Sequence, residues 1–122
     1  MLETIEGMPT GTVGFRAIGK LTREDYREQL VPALEQAMEA GEVRMLYVLG
    51  PEFEGLESGA LVEDAKAGFE SLRNHSAFKR SAIATDLGWI RNGLTLFSWM
   101  VPGELKLFSA DQVDEAKAWL AG

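Results

Sequence analysis

The sequence contains no cysteine and a single histidine, His75, among 122 residues. The first absence excludes a disulfide framework, thiolate zinc sites and thiol catalysis. The second excludes His-cluster zinc and two-His iron sites, and no metal or other cofactor is expected. Basic residues are also few: 12 Lys and Arg stand against 19 Asp and Glu, a net charge of −7. Tracking nucleic-acid phosphates requires clustered Lys and Arg, so a nucleic-acid partner is not expected, and anionic membrane surfaces are equally disfavoured. No apolar run approaches the ~20 residues of a membrane span. Residues 1–6 lack the basic and apolar regions of a signal peptide, and a cytoplasmic location is expected.

Chemistry-bearing strings are scarce too. Neither G-x-x-x-x-G-K-[ST] nor G-x-G-x-x-G occurs, which argues against nucleotide hydrolysis and hydride transfer. Ser58, His75 and Asp86 could formally supply a nucleophilic triad. Ser58 and His75 would lie at opposite ends of one helix, about 25 Å apart at 1.5 Å per residue, so the triad fails. The acidic loop with Glu52, Glu54 and Glu57, followed by Glu63 and Asp64, has no metal-ligand spacing and reads as a solvated face. A non-enzymatic protein is therefore expected.

What is present is periodic sequence punctuated by Gly and Pro, with no repeat, linker or low-complexity stretch, so 1–122 is read as one domain. Residues 2–6 and 12–20 read as strands of a hairpin. Thr22 and Asp25 form a capping box opening a helix in which Tyr26, Leu30, Leu34, Ala37 and Met38 keep the 3.6-residue period to Gly41. Pro32 removes one donor from that helix and is expected to kink it. Residues 43–49 are nearly continuous apolar sequence, as a strand covered on both faces requires. A second helix follows over 58–75, then a strand of small residues at 81–85, a third helix over 87–100, an edge strand at 104–108 and a last helix opened by a capping box at 109–112. Each crossover joins parallel strands. The fold class is α/β, with one mixed, mostly parallel sheet of about five strands, an N-terminal hairpin followed by βαβαβα, and about four helices.

Two features stand above this background. In the third helix Leu87, Ile90, Leu94, Phe97 and Val101 form one stripe, while Trp89, Leu96, Trp99 and Met100 fall largely outside it. A surface helix needs only one apolar stripe of about 100°. The excess implies burial between sheet and helix, a protein partner or second subunit, or a small apolar ligand held among Val62, Phe69, Trp89, Phe97, Trp99 and Met100. The second feature is Ser58-Gly59, at a helix start following a buried strand and its loop, where Ser58 reads as an N-cap.

The pattern resembles the SpoIIAA-like family, STAS-type domains related to bacterial anti-sigma-factor antagonists. The resemblance rests on the ordered set Gly19-Lys20-Leu21-Thr22, Asp25-Tyr26, Val31-Pro32-Ala33-Leu34, Phe53-Glu54-Gly55, Gly59-Ala60-Leu61, Glu63-Asp64, Phe78-Lys79-Arg80, Ala82-Ile83-Ala84, Asp86 with Trp89, and Phe108 with Ala116 and Trp119-Leu120. Val62 departs from it, since many relatives place Trp there. The resemblance implies a small α/β domain without catalytic residues, acting as an interaction or regulatory module. In the antagonist relatives a serine followed by Gly at this helix start is phosphorylated to control partner binding, and Ser58 matches that pair. The fold is also similar to lipid-carrying CRAL-TRIO-type domains, which keeps an apolar-ligand carrier as the alternative. A homodimer hiding Trp99 and Met100 is also permitted.

Overall fold

The computed structural model describes residues 1–8, 11–72, 78–92 and 103–122, with the backbone alone for 69–72. Five strands, β1 (Leu2–Thr4), β2 (Thr12–Leu21), β3 (Val43–Leu56), β4 (Phe78–Thr85) and β5 (Glu104–Phe108), lie in the sheet in chain order. β1 and β2 pair antiparallel; the other pairs are parallel. The continuous apolar run of β3 is explained by its central place. Met45 and Tyr47 are buried toward one face, Leu46 and Val48 toward the other.

Because neighbouring strands follow the chain, all three right-handed crossovers step the same way, and their helices share one face of the sheet. The helix α1 is continuous through an α turn Arg23–Asp25, a π-helical segment Tyr26–Leu30 and an α stretch Val31–Glu39. Its Leu30, Leu34 and Ala37 join one core cluster with Ile90 of α3 (Gly88–Asn92). Between them runs α2 (Gly59–Leu72). On the opposite face α4 (Val113–Ala121) sets Ala116 and Leu120 over Leu46, Val48, Ala82 and Ala84, with Ile5 and Met8 packed alongside. Arginines from the sheet hold the C-terminal carbonyls of α4. Arg44 donates to Leu120 O, and Arg80 donates to Trp119 O at 2.6 Å while lying 4.9 Å over the Trp119 ring.

The expected capping box at Thr22 forms: Oγ1 accepts from Asp25 N–H at 3.1 Å, and Asp25 Oδ2 accepts from Thr22 N–H at 3.0 Å. Immediately upstream of Pro32 lies the π segment, which resets the hydrogen-bond ladder before the residue that cannot donate. Gly41 terminates α1 with φ +101°.

Two expectations are corrected. The acidic loop 51–57 is largely strand, since β3 continues to Leu56 after a bulged stretch and pairs Phe53 with Gly19, Gly55 with Lys20 and Leu56 with Leu21. Positive φ at Gly19 and Gly55 permits this re-entry. The last helix starts at Val113, so Ser109 is not its N-cap; Gln112 Oε1 accepts from Ser109 N–H at 2.8 Å and closes a turn before the helix. The third helix is described only as Gly88–Asn92, and its remaining expected residues lie outside the described ones.

Candidate functional site

The carboxyl ends of β2, β3 and β4 lead into the N-termini of α1, α2 and α3. Ser58 follows β3 and is exposed; its Oγ accepts from Leu61 N–H at 3.1 Å, so it caps α2 as its residue type predicts. The adjacent Glu57 ties this turn to α1: its N–H donates to Leu21 O at 2.9 Å, and its Oε1 accepts from Arg23 N–H at 3.0 Å. A second tie joins Arg23 and Asp64 on α2 at 2.6 Å. Both side chains are substantially solvated, so this pair contributes at most about 1 kcal/mol. Thr22, Arg23, Glu24, Arg27, Glu28 and Glu57 line an open groove of about 520 Å³ there.

Electrostatics follow from burial. Partial burial of Asp25 opposes its ionisation. The Thr22 hydrogen bonds, with the N-terminal ammonium 3.5 Å away, outweigh that cost and hold the carboxyl below its ordinary range. Tyr26 is pushed up by burial and by the Asp64 carboxylate, and the sealed Tyr47 by burial and then by Tyr26.

An aromatic platform stands on the same rim. Trp89, on α3, stacks on Phe53 with ring centroids 5.8 Å apart and planes within 8°. The indole lies beside Gly55, where a Cβ would stand 3.9 Å away, at ordinary van der Waals distance. Phe53 is buried at 6% exposure while Trp89 remains 45% exposed; only Trp89 and Met1 are exposed large apolar residues among those described. Ser58 lies three steps along the chain from Gly55, a span of at most about 10 Å at strand rise.

Of the expected surface, Trp89 and Ser58 are thus brought to one rim, and Val62 lies half-buried one helical turn beyond Ser58. Phe69 falls within α2, described there by backbone alone; Phe97, Trp99, Met100 and His75 lie outside the described residues. Phe53 and Gly55 were missed as site residues because their stretch reads as an acidic loop. The available signal was alternation, Glu52 and Glu54 exposed against Phe53 and Gly55 buried. Among the described residues no three His, Asp or Glu side chains are placed to share a metal ion, and no helix is long and apolar enough to cross a membrane.

The SpoIIAA-like family model matches residues 12–121. The chain is similar to the crystal structure of an uncharacterized DUF3478-family protein with a SpoIIAA-like fold from Shewanella loihica PV-4. That similarity is 30% identity with a TM-score of 0.63, covering 98% of this chain and 93% of the other. No protein of curated function matches. With a five-stranded mixed sheet and four helices among the described residues, and a family match running from β2 through α4, the chain belongs to the SpoIIAA-like family.

Proposed function

We propose that this chain is a non-enzymatic interaction module whose protein partner docks on the rim formed by Trp89, Phe53, Ser58 and the first turn of α2. One observation carries the reading: a tryptophan held flat against a buried phenylalanine yet 45% exposed, at the end of the strand that leads into Ser58. A pre-positioned aromatic ring with little entropy left to lose is the kind of anchor from which interface hot spots are built. The sheet order supports the same reading. Ligand crevices of open α/β folds form where strand order reverses and helices part to opposite faces, and an in-order sheet has no such point.

Ser58 is the regulatory element of this proposal. Its exposed hydroxyl lies beside Glu57, so a phosphate of about −1.5 to −2 charge gains the helix N-terminus but meets a carboxylate already engaged with α1. Phosphorylation therefore acts by changing the charge presented to the partner. The apolar-carrier alternative draws on Val62, Phe69, Trp89, Phe97, Trp99 and Met100, of which Phe97, Trp99 and Met100 lie outside the described residues.

Affinity purification of tagged wild type, Ser58→Ala, Ser58→Asp and Trp89→Ala from the source cells tests the proposal. A partner retained by wild type and Ser58→Ala but lost from Ser58→Asp and Trp89→Ala is expected; identical co-purifying proteins across all four would refute it.

A further inference from the structure

β5 is an edge of the sheet. Among the described residues β4 is its sole strand neighbour, and none of them hydrogen-bonds to the outer side of residues 104–107. The N–H and C=O groups that alternate residues turn outward there are a template for one more strand. The two faces of this edge differ. Leu105 and Leu107 pack half-buried against the helix-side core, whereas Glu104 and Lys106 are exposed on the α4 side. There Glu104 lies 3.5 Å from Arg80, and Lys106 stands over the Phe108 and Trp119 rings at 5.3 and 5.9 Å. A lysine on an edge strand commonly guards against pairing. In this strand a glutamate two residues away offers the charge that neutralises it.

We infer that β5 pairs antiparallel with β5 of a second copy of this chain, about a two-fold axis at Leu105, joining two five-stranded sheets into one. A two-fold axis normal to the sheet preserves its faces, so each residue opposes one from the same face. Centred on Leu105, the pairing sets Glu104 opposite Lys106 of the second copy, and Lys106 opposite its Glu104. Centred on Glu104 or on Lys106, it would set like charges face to face, which is destabilising. Centred nearer the carboxyl end, it would leave Glu104 beyond the end of the facing strand. The Leu105 register also brings the two Leu105 side chains together on the axis and covers leucines that a lone sheet leaves partly open. A pairing confined to one five-residue strand falls short of the roughly 1,600 Å² of a standard interface, so association is weak and depends on concentration.

Sedimentation velocity of the intact chain from about 10 µM to about 1 mM reads the association. Wild type is expected to pass from monomer to dimer over that range and to stop there, because a two-fold contact closes. Glu104→Lys and Lys106→Glu each set like charges across the axis, and each should weaken self-association roughly tenfold or more. Their equimolar mixture restores both opposite-charge pairs and should dimerise as wild type does. The chain has no cysteine, so a single introduced thiol reads the register. Facing residues of an antiparallel pair have Cα atoms about 4.5–5.5 Å apart, within disulfide reach, so mild oxidation should link Leu105→Cys into covalent dimers. In the same register the two copies of residue 106 are diagonal neighbours about 7–8 Å apart, and Lys106→Cys should remain unlinked. A wild type that stays monomeric throughout, a mixture that associates no better than either charge variant alone, or cross-linking that favours Lys106→Cys overturns the inference. Growth beyond the dimer overturns it as well, since that marks a head-to-tail contact.

Discussion

Gly68 of α2 faces the hydroxyl of Tyr26 of α1 so closely that a Cβ on the glycine would stand 2.6 Å from Oη. The next atom of that ring, Cζ, is 3.9 Å away, an ordinary contact. The two helices that meet at the Ser58 rim are therefore spaced by one hydroxyl group.

A double-mutant cycle reads this contact. Gly68→Ala should destabilise the wild type by about 1–3 kcal/mol through overpacking. In a Tyr26→Phe background the clash is gone, and the same change should gain up to about 1 kcal/mol from helix propensity. Urea denaturation of the four proteins measures the coupling, and additivity would show that Tyr26 moves aside freely.

Ser58 has a structural role separable from its proposed regulatory one. Ser58→Ala removes the acceptor for Leu61 N–H and should cost about 1 kcal/mol, whereas Ser58→Asp keeps a capping oxygen and should stay within a few tenths of wild type. Thermal denaturation distinguishes them. Equal losses in both variants would mean that the aspartate does not cap, and that its effect on binding mixes charge with unfolding.

Stability should fall at both ends of the pH range. Asp25 titrates below its ordinary 3.8 in the folded chain, so its contribution is present above about pH 4 and disappears as the pH falls through the folded value. Tyr47 titrates above its ordinary 10.0, so its contribution is present below pH 10 and is lost as rising pH favours the ionised, unfolded side chain. Asp25→Asn should flatten the acid limb of a stability–pH profile and Tyr47→Phe the alkaline limb, each leaving the other limb in place.

Gly103, at the entry to β5, has φ +89°, and a Cβ there would stand 2.9 Å from the Lys79 carbonyl oxygen. Both the dihedral and the backbone neighbour resist a side chain. Gly103→Ala should cost about 2–4 kcal/mol, combining backbone strain with overpacking. A melting temperature within a degree or two of wild type would contradict that.

Local and periodic signals made most of this architecture legible in advance. The Thr22–Asp25 box needs only three residues of spacing, the β3 run announces its two-sided burial, and Ala82 and Ala84 fit the narrow space under α4. The second half of β3 was hidden for a physical reason. Gly50 and Pro51 weaken strand propensity, and what restores the strand is pairing with Gly19–Leu21 across the sheet, a contact no local window contains. The Arg23–Asp64 tie was equally invisible, since its partners lie 41 residues apart on separate helices. Trp89 was singled out as part of an apolar excess on the third helix; its actual support, Phe53, came from the segment read as a loop.

The in-order sheet also bears on biosynthesis. As the ribosome releases the chain, each new strand can add to the edge of the strands already formed, and its crossover helix can settle beside the previous one without waiting for distant sequence. Only the far side must wait. Until α4 emerges, Leu46, Val48, Ala82 and Ala84 lack their principal cover, so the arginines that grip its last turn also end the interval in which a nascent chain would engage chaperones.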